Sequence, residues 1–312
     1  MTVMPLAKNL RLVGHLDLPG GGQVTVSGGH AFVGHMKPPF GTTIVDVRDP
    51  ANPRVAASVE LPDEASHTHK VRVVGDLMIT NVEQNDRHAL RRGARLAEAA
   101  SDLAARLGRP PSDAELAAAL KIPEDLLPRL RHVLEHGYRD GGFKVYDISD
   151  RTRPREIAYV RTHGVGVHRF DMDDRYAYIS TEMEGYVGNI LVVYDIADPA
   201  RPAEVSRWWM PGQHAAGGET PHWAGLRNRL HHALRFGDEL WASVWYAGLR
   251  VIDASDITDL RTVGSYDYHP PFPEPTHTVA PVPVRWQGRQ VAVAVDEEHD
   301  HVHGQLHGGL WF

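Results

Sequence analysis

His69, His168, His232 and His277 each stand at the head of a short run with apolar residues at alternate positions. The runs read His69-Lys-Val-Arg-Val, His168-Arg-Phe-Asp-Met, His232-Ala-Leu-Arg-Phe and His277-Thr-Val-Ala-Pro. A fifth, Gln23-Val-Thr-Val, matches them with glutamine in place of histidine. Such alternation predicts half-buried strands. Histidine is abundant, 20 residues of 312. Even so, composition alone puts histidine at four of five equivalent positions only on the order of once in 10⁴ cases, or 10³ after alignment freedom. Four imidazoles meeting at one place would repel one another if protonated and leave lone pairs unmatched if neutral. A divalent cation resolves both, because neutral imidazole is a good ligand for such ions. Four nitrogens without thiolate leave positions open on an octahedral ion, unlike a closed tetrahedral zinc site. The expectation is one divalent transition metal, with Fe(II) favoured and Cu, Zn, Mn and Ni as alternatives.

Imidazole ligands need a partner on their other ring nitrogen. Glu83 and Glu182 each lie fourteen residues after the histidine of their run, where a returning strand reaches the same face. Glu297 occupies roughly that place in the last run. These three are the candidate catalytic acids. His67 and His231, neighbours of the ring positions, are the alternative ligands. His299, His301, His303 and His307 form a loop run that either binds metal loosely or is a solvated tail. His15, His88, His132, His136 and His163 read as ordinary hydrogen-bonded residues.

The elements that position these residues repeat. Thr43-Ile-Val-Asp-Val-Arg-Asp-Pro50, Lys144-Val-Tyr-Asp-Ile-Ser-Asp150, Val192-Val-Tyr-Asp-Ile-Ala-Asp-Pro199 and Arg250-Val-Ile-Asp-Ala-Ser-Asp256 are each a β-branched run ending in Asp-x-x-Asp. They read as strand followed by turn. A period near 50 residues with four strands per unit is that of propeller blades. These segments resemble the LVIVD-repeat family, which implies a β-propeller over nearly the whole chain and implies little about activity. The expected fold is all-β. Five blades are expected if the chain is complete, with Asn9–Asp17 and Gly309–Phe312 together finishing one blade, and six or seven if it is a fragment.

The long first gap holds an insertion, Gln84 to about Asp140. Leu96, Ala99, Ala100, Leu103, Ala104 and Leu107 have helical spacing, and Ser112-Asp-Ala-Glu115 opens a second helix with a capping box. Leu103–Val133 is similar to a helical segment of bacterial primary sigma factors. Ten basic against nine acidic residues give the insertion no basic face for DNA. The expected division is 1–83 for blade one and half of blade two, 84–140 for a helical lid, and 141–312 for the rest. The strand directions place this lid over the histidine mouth, closing a partly apolar pocket.

A net charge of −7 argues against a nucleic-acid partner. Absence of cysteine excludes disulfides, thiolate sites and cysteine nucleophiles. No leader or membrane span is read from the sequence, so a cytoplasmic protein acting on a small molecule is expected, its oligomeric state left open. No phosphate loop, nucleophile elbow or zincin helix is present. Three glutamates behind four histidines is similar, in site logic, to the iron centre of carotenoid-cleavage oxygenases. The first functional expectation is an Fe(II) oxidoreductase acting on an apolar or aromatic small molecule. A metal-dependent lyase, isomerase or hydrolase, and a non-enzymatic metal-binding or protein-interaction propeller, are the alternatives.

Overall fold

The computed structural model describes residues 9–224, 227–269, 272, 274–298 and 308–312. The run from His299 to His307 lies outside the described residues.

Successive antiparallel meanders form the blades. Blade one is β1 (Gly21–Ser27), β2 (His30–His35), β3 (Phe40–Asp46) and β4 (Arg54–Glu60). Blade two begins with an inner strand broken into β5 (Ser66–His67) and β6 (Val71–Val74). It continues through β7 (Leu77–Gln84), β8 (Gly142–Asp147) and β9 (Arg155–Arg161). Blade three is β10 (His163–Met172), β11 (Tyr176–Glu182), β12 (Asn189–Asp195) and β13 (Ala203–Trp208). Blade four is β14 (Leu230–Phe236), β15 (Glu239–Val244), β16 (Gly248–Asp253) and β17 (Arg261–Tyr266), and blade five is β18 (Thr276–Pro281), β19 (Ala292–Asp296) and β20 (Leu310–Trp311).

The repeat motif is the third strand of its blade together with the turn that ends it. Its apolar residues pack on both faces: every residue of β12 from Asn189 to Tyr194 is buried. The two aspartates of each motif organise the turn. Asp46, Asp147, Asp195 and Asp253 each accept a hydrogen bond from the backbone N–H two residues on. Asp49, Asp150, Asp198 and Asp256 do the same. Each motif is thus two Asx turns in tandem, which is the local reason for the spacing.

The core lies between blades. Phe32 and Ile44 of blade one pack on Val71, Met78 and Tyr146 of blade two. Ile79, Phe143 and Val145 meet Val167, Phe170 and Ile179 of blade three. Leu191, Val193 and Trp208 meet Leu230, Leu240 and Val244 of blade four.

The insertion comprises α1 (Arg87–Leu90), α2 (Leu96–Leu107), α3 (Asp113–Leu120) and α4 (Leu127–His136). The Ser112–Glu115 capping box is formed. Its buried apolar side chains, Leu90, Leu116, Ala117, Leu120, Ile122, Leu127 and Leu130, form a cluster of their own with no propeller residue in it. No described helix is long and apolar enough to cross a membrane.

One expectation is corrected. Leu310 and Trp311 do begin a third strand on blade five, paired with β19. Asn9–Asp17 is not a strand. Leu10 and Leu12 are more than four-fifths exposed, so nothing buries their apolar faces. Gly14 instead abuts the turn at Pro50, where an added Cβ would lie 2.1 Å from the Pro50 carbonyl oxygen.

Candidate metal centre

β-Bulges aim the histidines. Pairing of β10 with β11 steps from Val167↔Thr181 to Arg169↔Ser180, leaving His168 as the extra residue. Pairing of β14 with β15 steps from Leu230↔Val244 to His232↔Ser243, leaving His231. Pairing of β18 with β19 steps from Thr276↔Asp296 to Thr278↔Val295, leaving His277. In blade two the gap between β5 and β6 holds His69. A bulge breaks the two-residue alternation and re-aims one side chain. Here it aims one histidine per blade. The equivalent of His168 and His277 is therefore His231, not His232.

His67, His69, His168, His231 and His277 form a chain of adjacent rings, with successive centroids 4.5, 5.8, 4.8 and 4.2 Å apart. Blade one contributes no imidazole because its backbone comes too close. At the bulge of β1, a Cβ on Gly22 would lie 2.6 Å from the His69 carbonyl oxygen. Gly166, at φ +90°, lets β10 bridge to β7 at Glu83 and so brings His168 to that glutamate.

Glu83 is fully buried at the focus of the first half of the chain. Its carboxylate lies 3.1 Å from His67 Nε2, 3.1 and 3.2 Å from His168 Nδ1, and 3.9 Å from His69 Nε2. Arg87 of α1 pairs with the same carboxylate. Burial works to raise this carboxyl, but the His67 hydrogen bond and Arg87 outweigh it and hold it below the usual range.

His168 Nε2 and His231 Nε2 face each other at 3.0 Å. Each ring is anchored through its other nitrogen: His168 Nδ1 on the Glu83 carboxylate, His231 Nδ1 on the His277 carbonyl at 2.5 Å. Both anchors accept only, so both Nδ1 atoms carry the proton and both Nε2 atoms present lone pairs. Two bare lone pairs at this distance repel. Protonating one ring is opposed by burial, which holds both well below the usual imidazole range. Arg87 and Arg229 reinforce this at His168, and the neighbouring histidines at His231. A cation resolves the conflict, since two nitrogens about 2.1 Å from one ion and at right angles around it stand about 3.0 Å apart. Ligand atoms of His67, His69 and Glu83 lie within 4.8 Å of one another on one side, and those of His231, His277 and Glu297 on the other. The donor set thus fits a divalent transition metal.

Two of the expected residues stand elsewhere. His232 is buried, with Nε2 3.3 Å from the Phe170 carbonyl and Nδ1 unpartnered. It faces the neighbouring strand because it follows the bulge rather than forming it. Glu182 accepts hydrogen bonds from Arg91 of the insertion and from the Val165 N–H, both at 3.0 Å. It fastens the helical segment to blade three and touches none of the five rings. His277 takes its place, but Arg169 donates to its Nε2 at 2.8 Å. Burial, with Arg169 and Lys70 assisting, brings its pKa down to about 4.

A cavity of about 800 Å³ opens on His67, His69 and His168. Arg87, His88, Pro123 and Leu126 of the insertion form one wall, so the helices do border the histidine mouth. The cavity is partly apolar, as the sequence suggested, through Met36, Pro38, Ala89, Pro123 and Leu126. Lys70 and Arg169, which directly follow His69 and His168, also line it. Lys70 is 8% exposed, and burial together with Arg169 brings its ammonium down to about 7. These two cations went unremarked in the sequence, although their place beside ring histidines in inner strands was the available signal.

Residues 21–60 and 173–208 match the family model for the LVIVD repeat. These are blade one and the last three strands of blade three. The chain is a β-propeller that carries LVIVD repeats in these two blades. No curated protein sequence matches it. Among solved structures, a protein from Lactobacillus plantarum aligns at TM-score 0.51 and 10% identity, over 93% of this propeller and 69% of that chain. A europium-containing methanol dehydrogenase aligns at 0.50 and 9% identity, over 92% of this propeller and 48% of that chain. A periplasmic gluconolactonase of Pseudomonas aeruginosa gives 0.47 and 14% identity, over 86% and 59%. The LVIVD propeller thus spans about half to two thirds of the length of these structures. At such identities the likeness is one of fold alone.

Proposed function

We propose that this LVIVD-repeat propeller is a metal-dependent enzyme whose ion sits where His168 and His231 face each other. The opposed Nε2 atoms, 3.0 Å apart and each in the unprotonated state, carry the reading. His69 adjoins His168 on one side, Glu297 lies within 4.8 Å of His231 on the other, and His277 joins them where Arg169 releases its ring. Glu83 holds the proton at His168 Nδ1 and fixes that ring, and the His277 carbonyl does the same for His231. The helical insertion covers the mouth and limits water. A divalent ion bound there supplies a Lewis acid towards a carbonyl or water, and as iron(II) it supplies redox chemistry with dioxygen. Open coordination among imidazoles favours iron(II) oxidoreduction as the first reading. The substrate is a small molecule with polar as well as apolar parts, in keeping with the cavity wall.

The test is elemental analysis of protein purified anaerobically and of protein reloaded with Fe(II). About one tightly held ion per chain is expected. His168→Ala and His231→Ala should each lose most of it while still folding, and His232→Ala should keep it. Full occupancy in both of the first two variants would place the ion elsewhere. A redox-inert ion in the isolated protein would remove the oxidoreductase reading and leave Lewis-acid chemistry.

A further inference from the structure

We infer that the cavity beside the histidines is a carboxylate receptor, with Lys70 and Arg169 binding the anionic head of a small organic acid. This deepens the reading above by naming the class of substrate, and it rests on an observation separate from the metal donors.

The observation is an imbalance of buried charge. Four cations bear on His168: Arg87, Arg229, Arg169 and Lys70. The carboxylates among them are Glu83, already engaged by Arg87 and His67, and Glu297. Among the described residues no carboxylate comes within ion-pair distance of Lys70 or Arg169, although both line the cavity. Arg169 Nε is buried without a partner, and its Nη2 is spent on a neutral imidazole. Arg229 is 1% exposed, with Nε and Nη1 unpartnered and its guanidinium stacked 4.2 Å over the Trp245 ring.

Removing a charge from water is unfavourable unless a counter-charge and hydrogen bonds offset it. A divalent ion on the histidines would add to the positive excess. An anion entering the cavity offsets both. The other Asp and Glu residues of the lining do not serve. Asp86 is paired with Arg129 at 3.0 Å, while Glu64 and Asp125 are exposed at the rim. Met36, Pro38, Ala89, Pro123 and Leu126 supply an apolar wall for the body of the molecule. A carboxylate bridging a lysine and an arginine gains charge-assisted hydrogen bonds about twice as strong as neutral ones. The carboxylate would lie beside His69 and His168, which places the rest of the molecule within reach of the proposed ion.

Benzoate and benzamide have the same shape and differ in charge, so they serve as the probe pair. Calorimetric titration of the full chain, as purified and after chelator treatment, should show benzoate binding at least about tenfold more tightly than benzamide in both preparations. Lys70→Gln and Arg169→Gln should each remove most of that preference at unchanged helical and strand content. Equal binding of the two probes, or no binding of either at millimolar concentration, overturns the proposal. So does a preference that vanishes with chelation, because the ion would then be the receptor. If a variant fails to fold, the wild-type comparison after chelation decides alone. Metal content is measured on the same samples. A chain that binds benzoate but no metal sinks the metal reading and leaves this one standing.

Discussion

At the scale of single residues, the site depends on how each imidazole's second nitrogen is held. Glu83 is the central case, because one buried carboxylate fixes His168 and contacts His67 and His69. Glu83→Gln keeps the shape and can still accept one hydrogen bond, but it removes the charge that favours a proton at His168 Nδ1. Metal affinity should fall by about 10–100-fold, the usual effect of losing such an orienting partner. Competition with a chelator of known strength measures it. An unchanged affinity would reduce Glu83 to a partner of Arg87. His232 shows the limit of reasoning one residue at a time. It has the right type and lies one position from the right place, yet the strand sends it towards Phe170.

At the scale of elements, the tandem Asx turns make an acid-sensitive seam on every motif-bearing blade. The carboxyls of Asp49, Asp150, Asp198 and Asp256 are held below their ordinary value of 3.8. Side-chain hydrogen bonds from Asn52, Thr152, Arg201 and Thr258 respectively are the main cause. A group depressed in the folded state contributes stability above its unfolded pKa and loses it as pH falls through the folded value. Stability should therefore drop from about pH 4 downwards. Asparagine at these four positions still accepts from the backbone N–H but does not titrate. The quadruple Asp→Asn variant should show a smaller shift in urea midpoint between pH 7 and pH 3 than the parent chain. Equal shifts in the two proteins would move the acid sensitivity to other carboxylates.

At the scale of the whole molecule, the insertion and the propeller have separate cores. The insertion's apolar cluster contains no blade residue, and the strands flanking it pair directly at Val82↔Gly142. Paired strands lie about 5 Å apart, so a tight turn can replace Asp86–Arg139 without straining the blade. The shortened chain should fold with the strand content of a propeller and keep the proposed metal, because no proposed ligand is removed. Chelator should strip the ion faster, because Arg87, Pro123 and Leu126 no longer wall the cavity. Unfolding of the shortened chain would make the helices part of the core.

The sequence by itself determined the repeat, the blades and the helical segment. Strand alternation, Asp-x-x-Asp turns and a capping box are local signals, written within a few residues of where they act. It also marked His69, His168 and His277, and it gave His231 as an alternative. Only the tertiary structure decided between His231 and His232. A bulge is set by how two strands pair, and a shift of one residue sends a side chain to the other face. The same holds for Glu182, which faces Arg91 from a helix 91 positions away in sequence. The buried excess of positive charge was equally hidden. Lys70, Arg87, Arg169 and Arg229 come from three blades' worth of chain and one insertion, and nothing but folding brings them around one imidazole.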